Sequence, residues 1–272
     1  MSEQLLENAY TCINLEKNDW VLHVNLDRPQ SRNAMSLAMV RELSEVFTAL
    51  ETDLSIRAVV LRGEGGHFCA GGDIKDMAGA RAAAAKSEND PYYELNKQFG
   101  ELIVQMNRIP QVVITILEGA VLGGGFGLAC VSDVAIASST AKFGLPETSL
   151  GIPPAQIAPF VVKRIGLTQA RRLALLGARF GGEESVQLGI SHFYAEDDEA
   201  IERLLGQTLD QVKNCAPEAN AVTKQLILKA AENEAEALVD DAAKAFCKAV
   251  QGSEGVAGTM AFVKKELPEW AK

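Results

Sequence analysis

An α/β architecture, with strands and helices alternating through one layered core, follows from three features of this 272-residue chain. Short apolar runs such as Ala58-Val59-Val60-Leu61 and Val112 to Leu117 read as buried strands. Between them, apolar residues fall at helical spacing, as at 37, 40, 43, 46, 47 and 50. From about Asp197 onward the strand pattern stops, and Ala-, Leu- and charge-rich helical spacing takes over. Strands alternating with helices build helix-on-sheet layers.

Each element has a local reason. Cys12 to Glu16 and Trp20 to Leu26 flank a polar Lys17-Asn18-Asp19 turn, which predicts a hairpin. Leu37 to Leu50 is the first helix, with Ser36 placed to cap it. Gly124 to Cys130 is a helix that opens in a glycine cluster, followed by a strand over Asp133 to Ala137. Asp76 to Gln98 is the least regular stretch, a helix former at Arg81 to Lys86 followed by the breaker Asn89-Asp90-Pro91. It reads as a helix-loop bordering a site. Ile201 to Val212, Ala219 to Ala230, Ala235 to Val250 and a last helix at Met260 to Val263 complete the chain. Residues 1–195 are therefore expected to form the core and 196–272 a helical appendage.

Composition removes several functions. The net charge of −10 and a pI near 4.9 oppose phosphate-tracking nucleic-acid binding and a polybasic grip on lipid. No apolar run approaches the ~20 residues of a membrane span, and the acidic N-terminus does not resemble a secretory or transit signal. Five scattered cysteines without a Cys-x-x-Cys pair, and three isolated histidines, offer no zinc spacing. No metal and no separate cofactor is expected, and a reducing cytoplasm fits the thiols.

Three segments carry chemistry. Gly123-Gly124-Gly125-Phe126-Gly127 lacks the Gly-x-Gly-x-x-Gly and Gly-Lys-Ser/Thr signatures of nucleotide loops. What remains is a Cβ-free helix start whose amides can approach another molecule, although close packing alone would also account for it. Cys69-Ala70-Gly71-Gly72-Asp73-Ile74-Lys75 is a second small-residue turn, and two such turns can each aim one N–H at a shared oxygen. Phe143-Gly144-Leu145-Pro146-Glu147 places one carboxylate in a Pro-stiffened apolar loop. Such a group is either solvated or, shielded from water, an acid or base with a raised pKa. Glu147-Thr148-Ser149-Leu150-Gly151 misses the serine-hydrolase elbow by one glycine.

Together with Leu26-Asp27-Arg28-Pro29, Asn33-Ala34, Gly119 to Gly125, Ser132-Asp133 and Ala261-Phe262-Val263-Lys264-Lys265, these segments resemble the crotonase, or enoyl-CoA hydratase/isomerase, superfamily. The resemblance runs in consistent order from about Val21 to the C-terminus. It implies a spiral of ββα repeats with a helical C-terminal trimerisation region, assembled as a homotrimer or as a hexamer built from two trimers. The ligand implied is an acyl-CoA thioester, with coenzyme A entering as part of the substrate. Ala70 and Gly124 are then expected to give the two amides that hold the thioester oxygen, and Glu147 to move the proton. Gly72, Asp73 and Ile74 are expected along the coenzyme A path, Arg28, Asn33 and Ala34 beside its phosphates, and Lys265 reaching it from the tail.

One departure narrows the expectation. Hydratases of the two-carboxylate type carry a second Glu where this chain has Gly127. The loop after Glu147 reads Pro154-Ala155-Gln156-Ile157-Ala158-Pro159-Phe160 in place of a glycine run. This combination resembles the branch that hydrates 3-substituted glutaconyl-CoA thioesters, 3-methylglutaconyl-CoA or isohexenylglutaconyl-CoA, in leucine and acyclic-terpene degradation. An open space at Gly127 is expected to admit the β-substituent. A distal carboxylate then calls for donors, with Arg81, Lys86 and Lys97 as candidates, although solvated helix faces account better for all three. The alternatives are an enoyl-CoA isomerase or another lyase of the same fold and, from a different class, a non-catalytic CoA- or RNA-binding oligomer.

Overall fold

A computed structural model describes residues 6, 8–73, 75, 76, 78 and 90–272. The hairpin forms from β1 (Ile13–Asn18) and β2 (Val21–Leu26), paired antiparallel with Lys17 opposite Leu22. Asp19 turns the chain between them with a positive φ of 54°. β2 then pairs parallel with β3 (Ala58–Gly63), β3 with β4 (Val112–Leu117), β4 with β6 (Val134–Ser138) and β6 with β9 (Phe193–Ala195). The six strands form one sheet in the order β1-β2-β3-β4-β6-β9. A smaller sheet holds β5 (Ala120–Leu122), β7 (Lys142–Gly144) and β8 (Arg179–Gly181).

Alternation along the parallel strands feeds two cores. Val59, Leu61, Val113 and Leu117 face one side, with α1 (Leu37–Leu50), α2 (Pro91–Arg108) and α3 (Gly124–Val131). Ala58, Val60, Ile114 and Ile116 face the other. There they meet Ile201, Leu205 and Val212 of α6 (Asp198–Lys213). A parallel sheet covered on both faces explains why its strands read as nearly continuous apolar runs. The expected division at residue 195 falls where the strands end. The helix that follows is nevertheless a layer of the core and no appendage.

Ser36 caps α1 as expected, its hydroxyl accepting from the Met39 amide at 3.2 Å. The Asn89-Asp90-Pro91 breaker is the start of a long helix: Asp90 caps α2 by accepting from Tyr92 N, with Pro91 in the first turn. The rest of the irregular stretch, including Ile74, Arg81 and Lys86, lies outside the described residues. A second helix missed in the sequence is α4 (Ala158–Leu176), which bends at Gly166, where φ is 74°. α5 (Gly182–Gln187) precedes β9. The chain closes with α7 (Pro217–Ala230), α8 (Ala235–Gln251) and α9 (Ser253–Lys264). No residue of α8 is buried within its own chain.

Candidate active site

Two turns meet in front of α3. The segment after β3 is pinned on one edge by Cys69, whose amide donates to Ala120 O and whose carbonyl accepts from Leu122 N. On its other edge Met35 N donates to Gly71 O at 2.7 Å, and Asp73 N donates to Met35 O at 3.0 Å. Gly71 takes a positive φ of 96°, and a Cβ there would lie 3.3 Å from Leu122 O. A Cβ on Gly123, itself at φ 50°, would lie 3.5 Å from Gly71 Cα and 2.7 Å from Glu147 Oε1. Glycine is required at both positions, and the two turns and the carboxylate touch.

The donors of this site differ from the expected pair in one member. Ala70 N–H is spent on Arg32 O at 3.0 Å, so it cannot serve a ligand. Gly72 supplies the free amide. Its N–H belongs to the same planar peptide as Gly71 O, which points at Met35, so the N–H points the opposite way. Gly124 is the first residue of α3, and its N–H has no partner within the helix. Of the amides in the expected turn, that of Ala70 is engaged within the protein and that of Gly72 is not.

Glu147 opens a single 3-10 turn, Glu147–Leu150, behind Pro146. Its Oε2 is buried without a hydrogen-bond partner. Burial pushes its carboxyl above the ordinary range, opposed only by its own backbone amide. A carboxyl in this state exchanges a proton at less cost than a solvated, fully ionised one. Cys69, buried beneath the turn, is pushed up to about 11 by desolvation and is not a nucleophile.

The residues expected along coenzyme A are largely turned inward. Arg28 pairs with Asp73 at 2.7 Å and donates to Ala34 O. Burial alone would raise the Asp73 carboxyl, but Arg28 and the Lys75 amide overcome it and hold it below its usual range. Asn33 is fully buried. It accepts from Arg28 N and donates to Glu64 O and His67 O. These side chains lock the 28–35 turn against the 69–73 turn. They build the site from behind and leave ligand contact to the backbone. Lys265 is exposed at the end of α9, with φ 58°, and forms no hydrogen bond or ion pair with either turn.

The space at Gly127 is also not what its glycine suggested. A Cβ there would lie 2.3 Å from Ile157 Cγ2 and 3.2 Å from Ile103 Cδ1. The missing side chain has been replaced by Ile157 from the loop after Glu147, so the volume is filled and apolar. Sequence reasoning missed Ile103, Phe99 and Ile157 as walls of this region. Phe99 packs on Gly124, where a Cβ would meet its ring at 2.8 Å. The helical spacing of Phe99 and Ile103 on α2 was the available signal, and Ile157 had none. Lys97 pairs with Glu101 at 3.7 Å.

Residues 16–272 match the sequence profile of the enoyl-CoA hydratase/isomerase family. An enoyl-CoA hydratase of Alternaria alternata, ACTT6, is 31% identical over 208 residues, 76% of this chain and 66% of that protein. The match thus spans just under two thirds of that relative's length. The structure of Pseudomonas aeruginosa AtuE is 60% identical with a TM-score of 0.93, covering 96% of this chain and 100% of that one. An enoyl-CoA hydratase/isomerase from Marinobacter aquaeolei is 58% identical with the same TM-score, covering 96% and 99%. The parallel spiral, the paired glycine turns and these matches agree: the chain belongs to the enoyl-CoA hydratase/isomerase family, with the crotonase fold.

Proposed function

We propose that this protein is an enoyl-CoA hydratase, a hydro-lyase acting on a 3-branched, glutaconyl-type acyl-CoA in leucine or acyclic-terpene catabolism. The observation that carries the reading is the partly buried Glu147 carboxyl, with an unpartnered Oε2, beside two converging glycine turns. Amides of Gly72 and Gly124 polarise the thioester carbonyl and hold the enolate oxygen as charge develops there. Glu147 takes a proton from water as its oxygen bonds to C3, and a proton returns to C2. One water is added and nothing is oxidised. The sequence pattern of Gly127 with the Pro154 to Phe160 loop supports the branched substrate, whereas the space at Gly127 does not, since Ile157 fills it.

Coenzyme A is read along the backbone of Gly72, Asp73 and Ile74, with Lys265 reaching it from the tail. Trimers or hexamers are proposed from the exposed apolar side chains of α8 and α9, among them Phe246, Phe262 and Val263. Three buried and two exposed free cysteines fit a reducing cytoplasm, and no helix among the described residues is long and apolar enough to cross a membrane. A panel of crotonyl-CoA, 3-methylglutaconyl-CoA and isohexenylglutaconyl-CoA tests the reading, with products identified by mass. Gain of one water on the branched substrates supports it. Unchanged mass with a moved double bond would make the protein an isomerase, a reaction one carboxylate can also perform.

A further inference from the structure

The wall of the site carries a polar pair that this mechanism leaves unused. Gln156 Nε2 donates to Asn96 Oδ1 at 2.8 Å, joining the loop after Glu147 to α2. Gly100, one turn further along α2, makes the room. A Cβ there would lie 2.3 Å from Gln156 Oε1 and 2.6 Å from its Cδ. Glycine inside a helix is destabilising relative to alanine, and here that cost seats one glutamine.

The pair neighbours the glycine turn of the site through α2 and Ile157. α2 and α3 lie side by side, with Ile103 against Gly127 and Phe99 against Gly124. One turn earlier on α2 is Asn96. One turn earlier on α3 lies past its N-terminus, in the space the Gly124 amide faces. Asn96, Phe99, Gly100 and Ile103 share one helix face at i, i+3, i+4 and i+7 spacing.

We infer that the Asn96–Gln156 pair is a specificity-determining point that recognises a carboxylate on the acyl chain. Two side-chain amides own four N–H groups, and one mutual hydrogen bond, whichever way the amides are turned, leaves three. Three uncharged donors suit an anionic oxygen, and a plain alkyl chain offers them no acceptor. Lys97 is engaged with Glu101 on a different face of α2. The inference rests on the glutaconyl-type reading above and deepens it.

Glutaryl-CoA and butyryl-CoA, both saturated and unreactive toward hydration, provide the test by calorimetric titration of the intact protein. Wild type is expected to bind glutaryl-CoA about tenfold more tightly or better. Gln156→Leu should bring the ratio close to one, and Gln156→Glu should push it below one through like-charge repulsion. Gly100→Ala, which keeps both amides but displaces Gln156, should also lower it. Asn96→Leu, on an exposed position, carries the same test should Gln156→Leu fail to fold. A wild-type ratio near one, or equal weakening of both ligands in the variants, overturns the inference. Wild-type hydration of 3-methylglutaconyl-CoA separates the two readings. Hydration without glutaryl preference removes the pair alone, and glutaryl preference without hydration removes the substrate reading alone.

Discussion

Glu147 stands between two oxygens' worth of chemistry with one of them unpartnered, and its titration is where the site can be read. Burial lifts its pKa above the ordinary value of 4.5. In the proposed mechanism the ionised form accepts water's proton, so turnover is present above that raised pKa and lost as pH falls through it. The acid limb of kcat/KM, which reports the free enzyme, should therefore lie above the ordinary carboxylate range. Glu147→Gln should abolish the limb and lower kcat by about 10²–10⁴-fold with the fold intact. Turnover near wild type in that variant removes Glu147 from the mechanism. The Gly124 amide can be isolated by a pair of substitutions. Proline suits a helix's first turn but has no N–H, whereas alanine keeps the N–H and only presses on Phe99. Gly124→Pro should lose about 10²–10³-fold in kcat, and Gly124→Ala distinctly less. Equal losses would assign the effect to crowding of the phenyl ring.

Helices α2 and α3 and the loop through Ile157 act as one packed unit, and one of its two tightest contacts is at Gly127. Gly127→Ala should destabilise by about 1–3 kcal/mol, because the new methyl overlaps Ile157 Cγ2. Ile157→Ala in the same chain should recover part of that loss, a coupling readable in a double-mutant denaturation cycle. Strict additivity would mean that the two do not share the space. This contact also shows what a sequence conceals. A glycine reads the same whether its vacancy is open or filled, and the residue that fills this one is thirty positions away. The long strands and α1 were legible because period and cap agreed there, down to Ser36. β5, β7 and β8 span three residues each, too few for a period to show. α2 was hidden because Asp90-Pro91 is a break signal and a start signal at once. Within the site, the glycines marked both turns. The choice between Ala70 and Gly72, however, depends on Arg32 O accepting from the Ala70 amide and Met35 N–H donating to Gly71 O, a tertiary fact with no local signature.

Across the whole molecule, Arg57 ties distant ends together. It donates to Val212, Lys213 and Cys215 carbonyls at the end of α6 and to Trp270 O, while stacking 4.9 Å above Trp20. Only a planar fork reaches so many acceptors at once. Arg57→Lys should cost on the order of 2 kcal/mol in urea unfolding at fixed protein concentration; a change within 0.5 kcal/mol, the range about usual for surface substitutions, would show the fork to be dispensable. The final feature is α8, none of whose residues is buried within its own chain, while Phe246 is 71% exposed. In the proposed trimer or hexamer other copies of the chain cover this helix, so its folding there obeys mass action. Its stability is then a function of dilution, growing with the logarithm of protein concentration as that of any bound state does. Amide exchange in α8 should quicken on hundredfold dilution while exchange in β3 and β4 stays slow. Indifference of α8 to dilution would mean that the lone chain holds it in place.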